Sequence, residues 1–206
     1  MKVLMLNGSS NAAGNTFTAL EEIGKQLVKE GVEYEIVQIG SEPIRDCIAC
    51  GACTPEGCVF TDDGVNEFIT KAKEADGLIF GTPVYYAHPS GSILSFLDRV
   101  FYTRSNLFAH KPGAAVAVAR RAGTTSSFDA LNKYFTISNM PVVGSSYWNV
   151  AFGSRPGETV MDGEGLEIMR NLARNMAWLL KCIEKGRENG ISRPVIERGN
   201  VTNFIR

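Results

Sequence analysis

The chain has 206 residues, 44% hydrophobic and 21% charged, with 21 Lys+Arg against 22 Asp+Glu, the profile of one folded globular domain rather than a disordered chain. A domain this long buries roughly 70% of the surface its unfolded chain exposes, so it needs neither a disulfide staple nor an obligatory metal to fold. A formal net charge of -1 without a Lys/Arg stripe argues against nucleic acid as a main partner, and no apolar run nears the ~18 residues of a membrane span.

The opening MKVLMLNGSS has no signal-peptide pattern, so the expected compartment is the cytoplasm, where cysteines stay reduced. Five short apolar runs alternate with segments of helical period, which predicts an α/β fold: a doubly wound five-stranded parallel sheet with helices on both faces. The first strand is Val3 to Leu6, followed by a polar loop from Gly8 to Asn15 and a helix with Phe17, Leu20, Ile23, Leu27 and Val28 on its apolar face, stopping at Gly31. Tyr34 to Ile39 is the second strand. The stretch from Ser41 to Asp63 holds four of the five cysteines and little periodicity, a functional loop ahead of a helix with Val65, Phe68, Ile69 and Ala72. Gly77 to Gly81 is the third strand, and a loop to Gly91 leads into a helix carrying Ile93, Leu94, Leu97 and Val100. Ala114 to Ala119 is the fourth strand, a polar loop Arg120 to Ser127 precedes the next helix, and Pro141 to Val150 is the fifth strand. A long Gly/Pro-rich loop, Phe152 to Gly165, then joins a last helix, Leu166 to Ile183, on which Cys182 reads as an inert core residue. No linker divides the chain. One domain over residues 1–186 is expected, with an Arg-containing polar tail over 187–206 that packs along a neighbour or frays.

In an open parallel sheet the ligand crevice lies outside the carboxyl ends of the strands, so the loops after strands one, three and four converge there. The first, Gly8-Ser9-Ser10-Asn11-Ala12-Ala13-Gly14-Asn15-Thr16, combines hydroxyls and amides ahead of a helix N-terminus, where free N–H groups favour an anion. It lacks the lysine of the nucleotide P-loop and the glycine spacing of the dinucleotide fingerprint, so it reads as a phosphate cradle built from neutral donors or as a helix N-cap cluster. The loop Thr82 to Gly91 offers two tyrosines as a flat wall for a planar ligand, while His88 reads as a surface or packing residue rather than a proton donor to substrate. The loop Arg120 to Thr125 adds cations and small-residue backbone donors; one of its two arginines is expected to pair with a surface carboxylate. The cysteines Cys47, Cys50, Cys53 and Cys58 lie within a dozen residues, and ligand or redox chemistry suits such spacing in a reducing compartment better than disulfides do.

GSSNAAGNT, TPVYYAHPSG and ARRAG together resemble the flavin-binding loops of the NADPH-dependent FMN reductase family of the flavodoxin-like superfamily, over about residues 1–185. The resemblance implies a flavodoxin-like fold and an oxidoreductase that transfers hydride from NAD(P)H to bound FMN and on to an acceptor such as a flavin or quinone. It implies phosphate contacts from Ser9, Ser10, Asn11, Asn15 and Thr16, ring contacts from Pro83, Val84, Tyr85 and Tyr86, and pyrimidine-edge contacts from Arg121, Ala122 and Gly123. Many relatives carry Pro-Arg at Ser10-Asn11, so this loop lacks their phosphate-side cation. The segment DCIACGAC, then Cys58 and Thr61-Asp62-Asp63, is similar to iron-sulfur flavoproteins, which implies Cys47, Cys50, Cys53 and Cys58 as ligands of a [4Fe-4S] cluster. Cluster-free reductases also resemble this segment, and both alternatives stand. A homodimer or homotetramer is implied as well, because Tyr147, Trp148 and Phe152 are costly to expose without a partner.

Overall fold

A computed structural model describes residues 1–200 together with 202 and 204. Strand β1 (Lys2–Asn7) sends Val3 and Met5 into one apolar cluster and Leu4 and Leu6 into another, as a strand's period of two requires when both sheet faces are covered. The same division recurs in β3 (Gly77–Tyr85), where Ile79 parts from Leu78 and Phe80, and in β5 (Gly113–Ala119), where Val116 parts from Ala115. Helices α1 (Asn15–Lys29) and α5 (Gly163–Glu188) supply the first cluster; α2 (Val65–Glu74), α3 (Gly91–Arg104) and α4 (Thr124–Ile137) supply the second. Aromatic rings knit that second cluster: Phe80 stacks on Phe135 at 4.9 Å between centroids, and Phe68 meets Phe96 edge-on at 5.4 Å.

The remaining strands are β2 (Glu33–Gln38), the two-residue β4 (His88–Pro89) and β6 (Val150–Phe152), and the sheet runs β2-β1-β3-β5-β6 with β4 paired to β3 alone. Those five strands are mutually parallel. After β2 the chain crosses back over β1 to place β3 on its other side, so the strand order reverses between β1 and β3, and the loops at their carboxyl ends flank the resulting crevice. This is the doubly wound, flavodoxin-like arrangement expected from the alternation of runs. Among the described residues no helix is long and apolar enough to cross a membrane.

Four local expectations change. The third strand continues past Gly81 to Tyr85, so Pro83 and Val84 belong to strand rather than loop. Pro83 is accommodated because β1 pairs only as far as Gly81, which leaves one flank of β3 free of a ladder beyond that point. The fifth strand is split: Val142 makes an isolated bridge to Gly113, and regular pairing resumes only at Val150 opposite Ala117. Seven residues therefore lie between contacts that only three separate on β5, and the surplus loops out between them, held by Asn175 Nδ2 on the Gly144 carbonyl at 2.9 Å and Asn171 Nδ2 on Ser146 Oγ at 3.0 Å. Helix α5 runs to Glu188, two residues into the expected tail. Cys182 is exposed, because the buried stripe of α5, Ile168, Met169, Leu172, Ala173, Met176, Ala177 and Leu180, passes it by.

Candidate functional site

Where β1 ends, Gly8 donates its N–H to the Gly81 carbonyl at 2.8 Å and accepts Ser90 Oγ at 2.7 Å. A Cβ at Gly8 would stand 2.9 Å from the Gly81 oxygen, so only glycine lets the ends of β1 and β3 close this tightly. Ser90 also caps α3, accepting Ile93 N–H at 3.4 Å, and so ties three elements at one point. Along the first loop, Ser9 N–H reaches the buried Asn7 Oδ1 at 3.2 Å, Asn11 N–H reaches Ser9 Oγ at 3.2 Å, and Ala13 N–H reaches Asn11 Oδ1 at 3.1 Å. Helix α1 begins without a side-chain cap. Among the described residues, the backbone N–H groups of Ser10, Ala12, Asn15, Thr16 and Phe17 have no acceptor within the chain. A turn of unpaired donors at the positive end of a helix dipole has the geometry that suits an anion.

The Asn15 carboxamide is turned to the loop after β6, donating to the Arg155 carbonyl at 2.9 Å and accepting Thr159 N–H at 3.1 Å. It clips that loop to the first turn of α1. Glu158 closes the same loop by accepting the N–H groups of Arg155 and Ser154, which hold its carboxyl below the usual range.

Beyond β3 the chain makes a two-residue hairpin, with Tyr86 (φ 50°) and Ala87 (φ 61°) both left-handed and Tyr85 opposite His88. Such a turn matches strand twist, yet it is built here without glycine or asparagine, a strained choice that surrounding contacts must hold. The contacts are visible. Gly123, at φ 89°, opens α4 beneath the hairpin; a Cβ there would lie 2.5 Å from Ala87 Cα and 2.9 Å from Val84 Cγ1, and Ser126 Oγ donates to the Ala87 carbonyl at 2.5 Å. Val84 to Ala87 and Ala122 to Gly123 thus form one wall. Tyr85 is about half exposed and Tyr86 fully exposed, while His88 is exposed on β4. Arg120 and Arg121 are both exposed and, among the described residues, neither pairs with a carboxylate, against the expectation that one would. Tyr147 and Trp148 meet edge-on at 4.8 Å and are each about half exposed, with Phe152 partly so.

The third region is the cysteine loop. Cys47, Cys50, Cys53 and Cys58 line a single small recess with Phe60, Arg99 and Tyr102. One face of α3 supports it at every fourth residue: Ser95 Oγ donates to Asp46, Arg99 reaches the centre, and Thr103 Oγ1 stands 3.6 Å from Cys53 Sγ. The Arg99 side chain is 1% exposed. Its Nε donates to Cys58 Sγ at 3.3 Å, its Nη1 pairs with the buried Asp63 carboxylate and reaches the Arg45 carbonyl at 3.4 Å, and its Nη2 donates to the Phe60 carbonyl at 3.0 Å. Burial works against this guanidinium's charge, but Asp63 and Cys58 outweigh it and raise its pKa. Asn66 on α2 holds the far side, accepting Cys58 N–H at 2.8 Å and donating to the carbonyls of Cys58 at 2.9 Å and Phe60 at 3.3 Å. Among the described residues no three acidic, histidine or cysteine side chains stand close enough to hold one metal ion. Sequence reasoning missed Ser90, Arg99, Asp63 as a buried ion-pair partner, and Asn66. The one available signal was Arg99 itself, a charge among the apolar positions Phe96, Leu97 and Val100 of α3.

A five-stranded parallel sheet reversing between β1 and β3, with a donor-lined loop at that reversal, defines a flavodoxin-like α/β protein with its ligand crevice at the switch point. The family model for NADPH-dependent FMN reductase matches residues 1–155, and the chain belongs to that family; it is an FMN-dependent oxidoreductase. It is 35% identical to an iron-sulfur flavoprotein of Methanocaldococcus jannaschii over 90% of this chain and 100% of that protein. It is 28% identical to an NADPH azoreductase of a Bacillus species over 79% of this chain and 78% of that one. Among solved structures, an NAD(P)H:quinone oxidoreductase from Methanothermobacter marburgensis superposes with a TM-score of 0.65 at 17% identity, covering 85% of this chain and 96% of that one, a likeness of fold.

Proposed function

We propose that this chain binds FMN across the carboxyl ends of β1, β3 and β5, takes hydride from NAD(P)H, and passes the electrons to a small acceptor such as a free flavin or quinone. The observation that carries this reading is the set of unpaired N–H groups at Ser10, Ala12, Asn15, Thr16 and Phe17: together with the hydroxyls of Ser9, Ser10 and Thr16 they suit a phosphate monoester that no lysine or arginine of the loop attends. Asn11 shapes the loop through its Oδ1, and Asn15 contributes its backbone, since its side chain is occupied elsewhere. FMN, when bound, supplies the two-electron chemistry. The chain's own residues orient the ring: Pro83, Val84, Tyr85 and Tyr86 form the wall along one edge, and Arg121 with the backbone donors of Ala122 and Gly123 faces the pyrimidine edge, where a cation favours the reduced ring. The test is anaerobic addition of NADPH to FMN-loaded protein. Stoichiometric bleaching of the flavin supports the reading; a chain that takes up no FMN, or whose flavin NADPH leaves oxidised, sinks it.

A second reading is favoured by the recess. Four cysteines of one compact loop line one recess, and in a [4Fe-4S] cubane each thiolate takes a different iron, so its ligands stand farther apart than those of a single ion. In this reading Cys47, Cys50, Cys53 and Cys58 hold the cluster and the chain works as an electron carrier, exchanging single electrons with FMN. Iron and sulfide analysis of anaerobically prepared protein separates the two readings, because a flavin spectrum without either element leaves only the reductase. A homodimer or homotetramer, covering Tyr147, Trp148 and Phe152, completes the proposal.

A further inference from the structure

The four cysteines are not equivalent. Among the described residues Cys58 alone receives a cationic donor, Arg99 Nε at 3.3 Å, and that donor is buried, neutralised by Asp63 on the opposite edge of the same guanidinium, and fixed by two backbone carbonyls. A buried ion pair adds little net stability over an apolar pair of similar volume. The geometry therefore asks for a reason outside stability. The orientation supplies it: the guanidinium turns its Nε edge to the sulfur and its Nη1 to the carboxylate, so a positive charge lies against one thiolate with the balancing negative charge on the far side.

We propose that Arg99 is a positioning residue that raises the reduction potential of a cluster held by Cys47, Cys50, Cys53 and Cys58, acting through its hydrogen bond to Cys58 Sγ, with Asp63 setting how much of its charge the sulfur feels; this rests on the cluster reading above. Taking up one electron makes the cluster and its thiolates more negative, and a charge-assisted N–H at a ligand sulfur stabilises that reduced state more than the oxidised one. The two partners then act with opposite sign. Asp63→Asn leaves the guanidinium uncompensated beside Cys58 and raises the potential. The Arg99→Gln/Asp63→Asn double variant removes both charges, the nearer one being positive, and lowers it. Each effect is expected at about tenfold in the reduction equilibrium, which for one electron is 59 mV.

The test is an anaerobic potentiometric titration of reconstituted protein followed by electron paramagnetic resonance, with iron, sulfide and FMN content measured on each sample. Opposite shifts in the two variants support the proposal. The double variant leaves no unpaired buried charge, so if Asp63→Asn does not fold, its downward shift alone still decides the matter. Unchanged potentials, shifts in the same direction, or loss of the cluster from both variants with FMN retained overturn the role of Arg99 and leave the cluster reading intact. Wild-type protein that holds FMN but no iron or sulfide overturns both.

Discussion

Replacing Gly123 with alanine tests whether the wall beside the crevice depends on one missing methyl group. At φ 89° an L-residue is strained by roughly 1–2 kcal/mol. The added Cβ would also lie 2.5 Å from Ala87 Cα, a backbone atom that cannot rotate away, and overpacking of this kind costs roughly 1–3 kcal/mol. Together these predict a loss of about 2–5 kcal/mol, or roughly 4–20 °C in Tm for a chain this long, unless the Tyr86-Ala87 turn moves off α4. If it moves, the wall goes with it, and FMN affinity falls at least tenfold. Thermal unfolding and fluorescence titration of FMN measure the two quantities on one sample. Gly144→Ala is the control, because no atom lies within 4 Å of its Cβ position, and it should change stability by less than about 0.5 kcal/mol. A Gly123→Ala protein with unaltered Tm and FMN affinity would refute the reasoning.

Two further outcomes follow from contacts away from the crevice. Lys111 is buried with its ammonium on the carbonyls of Ala72, Lys73 and Ala75 at the end of α2, and burial lowers its pKa to about 8. The folded chain thus releases this proton before the unfolded chain does, so the group adds stability as pH rises from about 8 towards 10.5, up to about 3 kcal/mol; denaturant titrations of wild type and Lys111→Met across that window should differ in slope, and parallel curves would refute the assignment. Asp162 accepts Gly165 N–H at 2.9 Å as the cap of α5 and Phe152 N–H at 2.7 Å from β6; Asp162→Ala should cost about 1–2 kcal/mol and speed amide exchange at Phe152, and unchanged exchange there would count against the link.

The parallel sheet and its five covering helices were legible because strands buried on both faces read as unbroken apolar runs, as Val3 to Leu6 and Ala114 to Ala119 do. The fifth strand misled for a local reason. Pro141 to Val150 is apolar enough to be one strand, but Asn149 is fully buried and spends its amide on the carbonyls of Ala115 and Val143 at 3.1 and 3.3 Å, and a side chain bridging its own strand to the next allows the intervening residues to loop out. The hairpin after β3 was hidden because its two left-handed residues are Tyr86 and Ala87, which carry no turn signature. Of the site, the donor loop could be read from Gly8 to Thr16 since helix starts and polar loops have local signals. The support beneath the cysteines could not, because Asn66, Arg99 and Asp63 meet only through the fold.

The excursion in the fifth strand has an effect on how copies of this chain coexist. It leaves β6 with three residues at the border of the sheet, too few free amides and carbonyls along that margin to template a foreign strand. On that side of the sheet the backbone therefore offers a second copy little to pair with, and the longer free margin is the one along β2.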